Sequence, residues 1–201
     1  MKLFLGLLLT SCVLAEMSTE NCPSGWTMVK RTMGNWCIQV FAGTVNVREA
    51  DQKCREQGAV LTGMENEAEK QLILAAGVKI IRSVSKREGS IWLGGRRRVP
   101  CLAPNTNATG CVPWVPNAFE WTDGFTTGKT MLHKWRTTQP DYYKNVQDRI
   151  CMLIVDGKVG SGGTLPGDLE DAGPNAKFND FPLNCMRGYA CGKKPTITNY
   201  I

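Results

Sequence analysis

Residues 139–141 of this 201-residue chain read Gln139-Pro140-Asp141, and residues 178–180 read Phe178-Asn179-Asp180 ahead of Cys185. Each stretch places an amide beside a carboxylate, and the first brackets a single imide bond with two oxygen-bearing side chains. Calcium is a hard cation that collects about 6–8 oxygens from carboxylates, amides and carbonyls on loops. Gln139, Asp141, Asn179 and Asp180 are therefore candidate metal ligands, with Asp148 as a further acid close by. Two vicinal sugar hydroxyls can complete such an ion's shell while bonding the side chains that hold it, which makes Gln139, Asp141 and Asn179 candidate sugar contacts as well. Asn-Asp and Gln-Pro-Asp also form plain turns, because their side chains satisfy nearby backbone.

Two helices and several strands must position these loops. Asn46 with Glu49 three places on has the form of a capping box, and Val47, Ala50 and Cys54 then share one helical face until Gly58. Asn66 with Glu69 predicts a second helix through Leu72, Ile73 and Ala76, with Gly77 as its stop. Short apolar runs at residues 90–93 and 150–155 suit buried strands. Two connections, residues 94–116 and 156–177, are longer than usual and rich in turn formers. Asp168, Glu170 and Asp171 in the second read as a solvated loop, and Trp92, Trp121 and Trp135 read as core.

The first 15 residues, a lysine followed by an apolar run ending in Val13-Leu14-Ala15, have the pattern of a secretory signal, too short to span a membrane. Its removal takes Cys12 and leaves eight of nine cysteines: Cys22, Cys37, Cys54, Cys101, Cys111, Cys151, Cys185 and Cys191. An even number in an oxidising compartment points to four disulfides. Sulfur-ligated zinc is disfavoured, with no Cys-x-x-Cys and one histidine, His133. That histidine accompanies no Gly-x-Ser-x-Gly element, so an enzyme is not expected. The formal charge of +6 is modest, and the Arg96-Arg97-Arg98 run reads as a solvated face ahead of a site for anionic glycans. Nucleic acid and membrane insertion are not expected as partners, given export and the lack of a second long apolar run. Asn107-Ala108-Thr109 is an N-glycosylation sequon.

From Cys22 to Cys191 the chain resembles the C-type lectin-like domain. The resemblance rests on Cys22-Pro23-Ser24-Gly25-Trp26, Cys37, Glu49-Ala50, Cys54, Gly58-Ala59-Val60-Leu61, Trp92-Leu93-Gly94, Trp121-Thr122-Asp123-Gly124, Trp135, Gln139-Pro140-Asp141, Cys151, Phe178-Asn179-Asp180, Cys185 and Cys191. The Phe119–Gly128 segment and the extra pair Cys101 and Cys111 look like secreted nematode members. The resemblance implies an α+β fold, with two helices flanking antiparallel sheets and a long-loop region as ligand surface. It implies four disulfides, Cys22–Cys37, Cys54–Cys191, Cys101–Cys111 and Cys151–Cys185. The expected organisation is a signal peptide at 1–15, a short segment at 16–21, the domain at 22–194 and a tail at 195–201. By resemblance Pro140 is cis, and the order amide, proline, acid implies calcium-dependent recognition of galactose-type sugars on glycoproteins or cell surfaces, with the Tyr143 ring against the sugar's apolar face. The chain departs from the family where Arg149 stands in place of a glutamate two residues before Cys151. A guanidinium facing calcium repels it. The alternative is a calcium-independent module that grips a protein or an anionic glycan through Arg96, Arg97 and Arg98.

Overall fold

A computed structural model describes residues 17–102, 111, 116–177 and 185–200. The signal segment, the Asn107 sequon, and Asn179 and Asp180 lie outside these residues. Strands β1 (Met17–Asn21), β2 (Thr27–Arg31) and β3 (Gly34–Ala42) are followed by helix α1 (Val47–Glu56), β4 (Val60–Leu61) and helix α2 (Glu67–Ser83). Next come β5 (Glu88–Arg97), β6 (Phe119–Trp121), β7 (Arg149–Val155), β8 (Leu169–Ala172), β9 (Met186–Lys193) and β10 (Thr196–Tyr200). The expected α+β architecture is present.

One sheet runs β2-β3-β9-β5-β7-β8, with β4 on β9 and β6 on β5. Its pairs are antiparallel except β5 with β9, which run parallel through the middle. The segments read as an N-terminal stub and a tail pair with each other, β1 antiparallel to β10.

Helix α1 starts as its sequence dictates. The Asn46 side chain accepts from Glu49 N–H at 2.9 Å and the Glu49 carboxylate accepts from Asn46 N–H at 3.0 Å, satisfying two otherwise orphan donors. Gly58, at φ +62°, turns the chain out just beyond it. Helix α2 also begins at its predicted cap, Asn66, but does not stop at Gly77. That glycine is buried inside the helix, and a Cβ there would sit 2.7 Å from Ile154 Cδ1 of β7, so it serves close helix–sheet packing. Gly94 serves similarly, since a Cβ would meet the Leu61 carbonyl oxygen at 2.1 Å where β5 passes β4.

The core joins Ile73 and Ile81 of α2 to Ile38, Ile91, Leu93, Ile150 and Met152 of the sheet. Trp92 is fully buried and donates to the Val45 carbonyl at 2.9 Å, while Trp121 and Trp135 are half-buried against the core. Cys54–Cys191 ties α1 to β9, and Cys22–Cys37 and Cys101–Cys111 are local bridges. The fourth expected bridge is not formed: Cys151 and Cys185 are buried free cysteines. Cys151 pairs with Trp92 on one side of β5, whereas the Cys185 carbonyl accepts from Ser90 N–H on the other side. Two strand spacings amount to roughly 10 Å, beyond the reach of a disulfide. Burial pushes the Cys151 thiol well above its usual range, and Glu170 adds to the shift.

Candidate ligand-binding loop

The Gln139-Pro140 bond is cis, and Thr138, Tyr142, Lys144 and Asn145 all take positive φ, between 50° and 70°. Non-glycine residues seldom adopt that region unless their surroundings hold them there. Asp171 holds one of the four, Tyr142, together with its neighbour Asp141. Asp171 Oδ1 accepts from Asp141 N–H at 3.1 Å and Asp171 Oδ2 from Tyr142 N–H at 3.0 Å. Within the loop, Gln139 Oε1 accepts from Asp141 N–H at 3.1 Å, and Asp141 Oδ1 accepts from Tyr143 N–H at 3.0 Å. Gln147 Oε1 takes the same Tyr143 N–H at 2.8 Å, and the Tyr142 hydroxyl donates to the Leu102 carbonyl at 2.8 Å.

Asp171 and Glu170 do not lie on a solvated loop as the sequence suggests. They lie on β8, opposite Ile150 and Cys151 of β7, with Asp171 fully buried and Glu170 nearly so. The Arg97 Nη2 meets Asp171 Oδ2 at 2.9 Å, and Arg136 Nη1 meets Glu170 Oε2 at 3.4 Å. Arg97 is itself buried, correcting the reading of the arginine run as a solvated face, and stacks over Tyr142 at 4.1 Å and Phe119 at 4.6 Å. Its exposed neighbour Arg96 pairs with Glu120 at 2.7 Å. Arg98 donates to the Asn117 carbonyl at 2.7 Å. Burial pushes the Asp171 and Glu170 carboxyls above their ordinary values, and the opposing guanidiniums pull only part of the way back.

Of the residues expected to hold calcium, the structure brings Gln139 and Asp141 together and sets Asp148 on the approach to β7, 3.5 Å from Arg149 Nε. The sequence reading passed over Arg136 and took Asp171, Glu170 and Arg97 for solvated residues. The described residues do not fit a calcium ion. Both Asp171 oxygens already accept hydrogen bonds, one from a buried guanidinium, and Arg136 faces Glu170. A divalent cation beside those fixed charges is repelled, and the repulsion strengthens with burial. Among the described residues no cluster of three or more His, Cys, Asp and Glu is arranged to hold a metal. Tyr143 is 59% exposed, with Lys144 Nζ 5.1 Å from its ring. His133 is exposed at the end of a short 3-10 helix, Thr130–His133.

Among curated proteins, human layilin is 27% identical over 138 residues, which is 67% of this chain and 31% of layilin. Mouse chondrolectin is 24% identical over 163 residues, 78% of this chain and 50% of that protein. The chain thus spans half or less of these relatives. Among solved structures, herring type II antifreeze protein aligns with a TM-score of 0.53 at 17% identity, covering 86% of this chain and 98% of that one. The cow C-type carbohydrate-recognition domain of CD23 aligns with a TM-score of 0.52 at 15% identity, covering 89% and 99%. These likenesses establish the C-type lectin fold. The family described as C-type lectin domain-containing protein 141/158 is matched over residues 27–194, and the chain belongs to that family.

Proposed function

We propose that this protein is a secreted carbohydrate-binding module that presents the Gln139–Tyr143 loop to a galactose-type sugar without a calcium ion. The observation that supports it is the Arg97–Asp171 pair: Asp171 holds the Asp141 and Tyr142 amides while its charge is met by a guanidinium. Membership of a family of binding modules supports carbohydrate as the ligand class. Asp141 and Tyr143 remain exposed on the loop, a carboxylate to accept from sugar hydroxyls and a ring to cover an apolar sugar face. No helix among the described residues is long and apolar enough to cross a membrane.

Retention on immobilised galactose tests this reading. The wild-type chain is expected to bind equally with calcium or chelator present, and Asp141→Ala to lose retention while keeping its melting temperature. Retention abolished by chelator would return the site to calcium, with Asn179 and Asp180 as the ligands to examine. Retention unchanged in Asp141→Ala would remove the loop from sugar recognition.

A further inference from the structure

Apart from this loop, a cavity of about 460 Å³ opens between α1 and strands β5 and β7, and Arg48, Arg55, Arg96 and Arg149 line it. Its volume lies within the roughly 300–1,000 Å³ of small-molecule sites. The guanidiniums are unevenly neutralised. Arg55 pairs with Asp51 at 2.8 Å and Arg96 with Glu120 at 2.7 Å. Among the described residues Arg149 has only the 3.5 Å approach of Asp148, outside hydrogen-bond geometry, and its buried Nε has no hydrogen-bond partner. Arg48 forms no ion pair or side-chain hydrogen bond among the described residues. It also sits in the first turn of α1, the end of a helix where a cation is disfavoured, so helix energetics do not account for it.

Planar guanidinium forks match oxyanions in two-pronged geometry, and several in one concave site raise the local anion concentration. Arg149, which counts against calcium when the chain is read as a sequence, becomes on this view a ligand group. Pro174 and Asn175 line both this cavity and a neighbouring groove formed with Leu102, Tyr142 and Val146, so the cavity continues toward the loop that presents Tyr143. A ligand filling both has a charged end and a less polar body.

We infer that the arginine-lined cavity binds the sulfate or carboxylate group of an acidic saccharide, with Arg48 and Arg149 as the principal contacts, since Arg55 and Arg96 are already paired with Asp51 and Glu120. The saccharide part rests on the carbohydrate-binding reading above; the anion part rests on the cavity alone. Calorimetry on the whole secreted chain tests it, with a sulfated, uronate-containing hexasaccharide, its desulfated counterpart, a galactose disaccharide and a polyglutamate peptide as probes. The double variant Arg48→Gln/Arg149→Gln is expected to weaken the sulfated hexasaccharide by about tenfold or more and to leave the galactose disaccharide unchanged. Arg48→Gln alone, at an exposed helix position, keeps the test open should Arg149→Gln disturb folding, and is expected to cost about threefold. Loss of binding on desulfation assigns sulfate, and its persistence assigns carboxylate. Double-variant affinity within about twofold of wild type, or polyglutamate binding as tightly as the hexasaccharide, overturns the inference. If galactose fails to bind while the hexasaccharide binds in an arginine-dependent way, the loop reading falls and this one stands.

Discussion

Two buried arginines of this molecule, Arg31 and Arg97, are equally hidden from solvent, each 4% exposed, yet they are treated very differently by their surroundings. Arg31 grips Glu69 with two prongs at 3.0 and 2.9 Å and also donates to Asp123, Thr126, Thr62 and the Gly63 carbonyl. Arg97 has one carboxylate contact, to Asp171, two aromatic faces, and a buried Nε with no hydrogen-bond partner. The carboxylates follow suit. Burial pushes Asp123 up, but hydrogen bonds from Thr126, Phe125 and Gly63 outweigh it and leave the carboxyl below its ordinary value. Asp171 is equally cut off from water and ends above its ordinary value. A saturated network locks its charges in place and suits the body of the domain. The undersupplied one sits under the loop proposed to meet the ligand, where Asp171 bonds the Asp141 and Tyr142 amides.

The largest test of that contrast is Arg31→Met. It strands Glu69 and Asp123 in the interior without a counter-charge, and urea unfolding is expected to show a loss of about 3–5 kcal/mol. Arg97→Met leaves Asp171 with its two backbone donors and a carboxyl already inclined to take a proton, so the expected loss is smaller, about 1–3 kcal/mol. Its greater effect falls on the loop, with reduced retention on galactose. Equal stability losses for the two variants would abolish the distinction between body and loop. Gly77→Ala offers a control that involves no charge: its methyl would press on Ile154 Cδ1 at 2.7 Å, and overpacking of this kind costs about 1–3 kcal/mol, read as a lower melting temperature with galactose retention intact.

The parts of the fold legible in the sequence were those with local signals. Asn46 and Asn66 announce both helix starts because a cap needs only its own next turn, and the cysteines of α1 and β9 gave their pairing through family resemblance. Gly77 misled because its purpose, contact with Ile154 of a strand far along the chain, leaves no local trace. Strand β8 was hidden for a related reason. Leu169-Glu170-Asp171-Ala172 lacks apolar alternation, since its burial is made tolerable by Arg97 and Arg136 from distant segments. The usable signal was charge complementarity: an arginine run without nearby acids, and an acidic pair without nearby bases. Gln139 and Asp141 stand out as candidate site residues from their own chemistry, whereas the carboxylate that bonds the Asp141 amide lies 30 residues further on, at Asp171.

Acidification provides the subtlest test, because the two networks respond with opposite sign. A carboxyl whose folded value is raised binds its proton more tightly in the native state, so Asp171 and Glu170 cost stability as pH rises above their ordinary values of 3.8 and 4.5, and that cost is relieved as they protonate. Asp123 is the reverse: its contribution is complete above the ordinary 3.8 and is lost as pH falls through its lower folded value. Lowering the pH from neutral therefore discharges Asp171 and Glu170 first, freeing Arg97 and Arg136 while Asp123 stays charged. Galactose retention is expected to fall in that interval while the melting temperature holds or rises, and the fold weakens only where carboxyls with lowered values, Glu65 and Asp123 among them, take up protons. Carboxyl-carbon NMR titration reads the order directly, with midpoints above the ordinary value for Asp171 and Glu170 and below it for Asp123. The opposite order would mean that the Arg97 pair is as firmly charged as its counterpart in the body, and that the loop is clamped at every pH at which the protein folds.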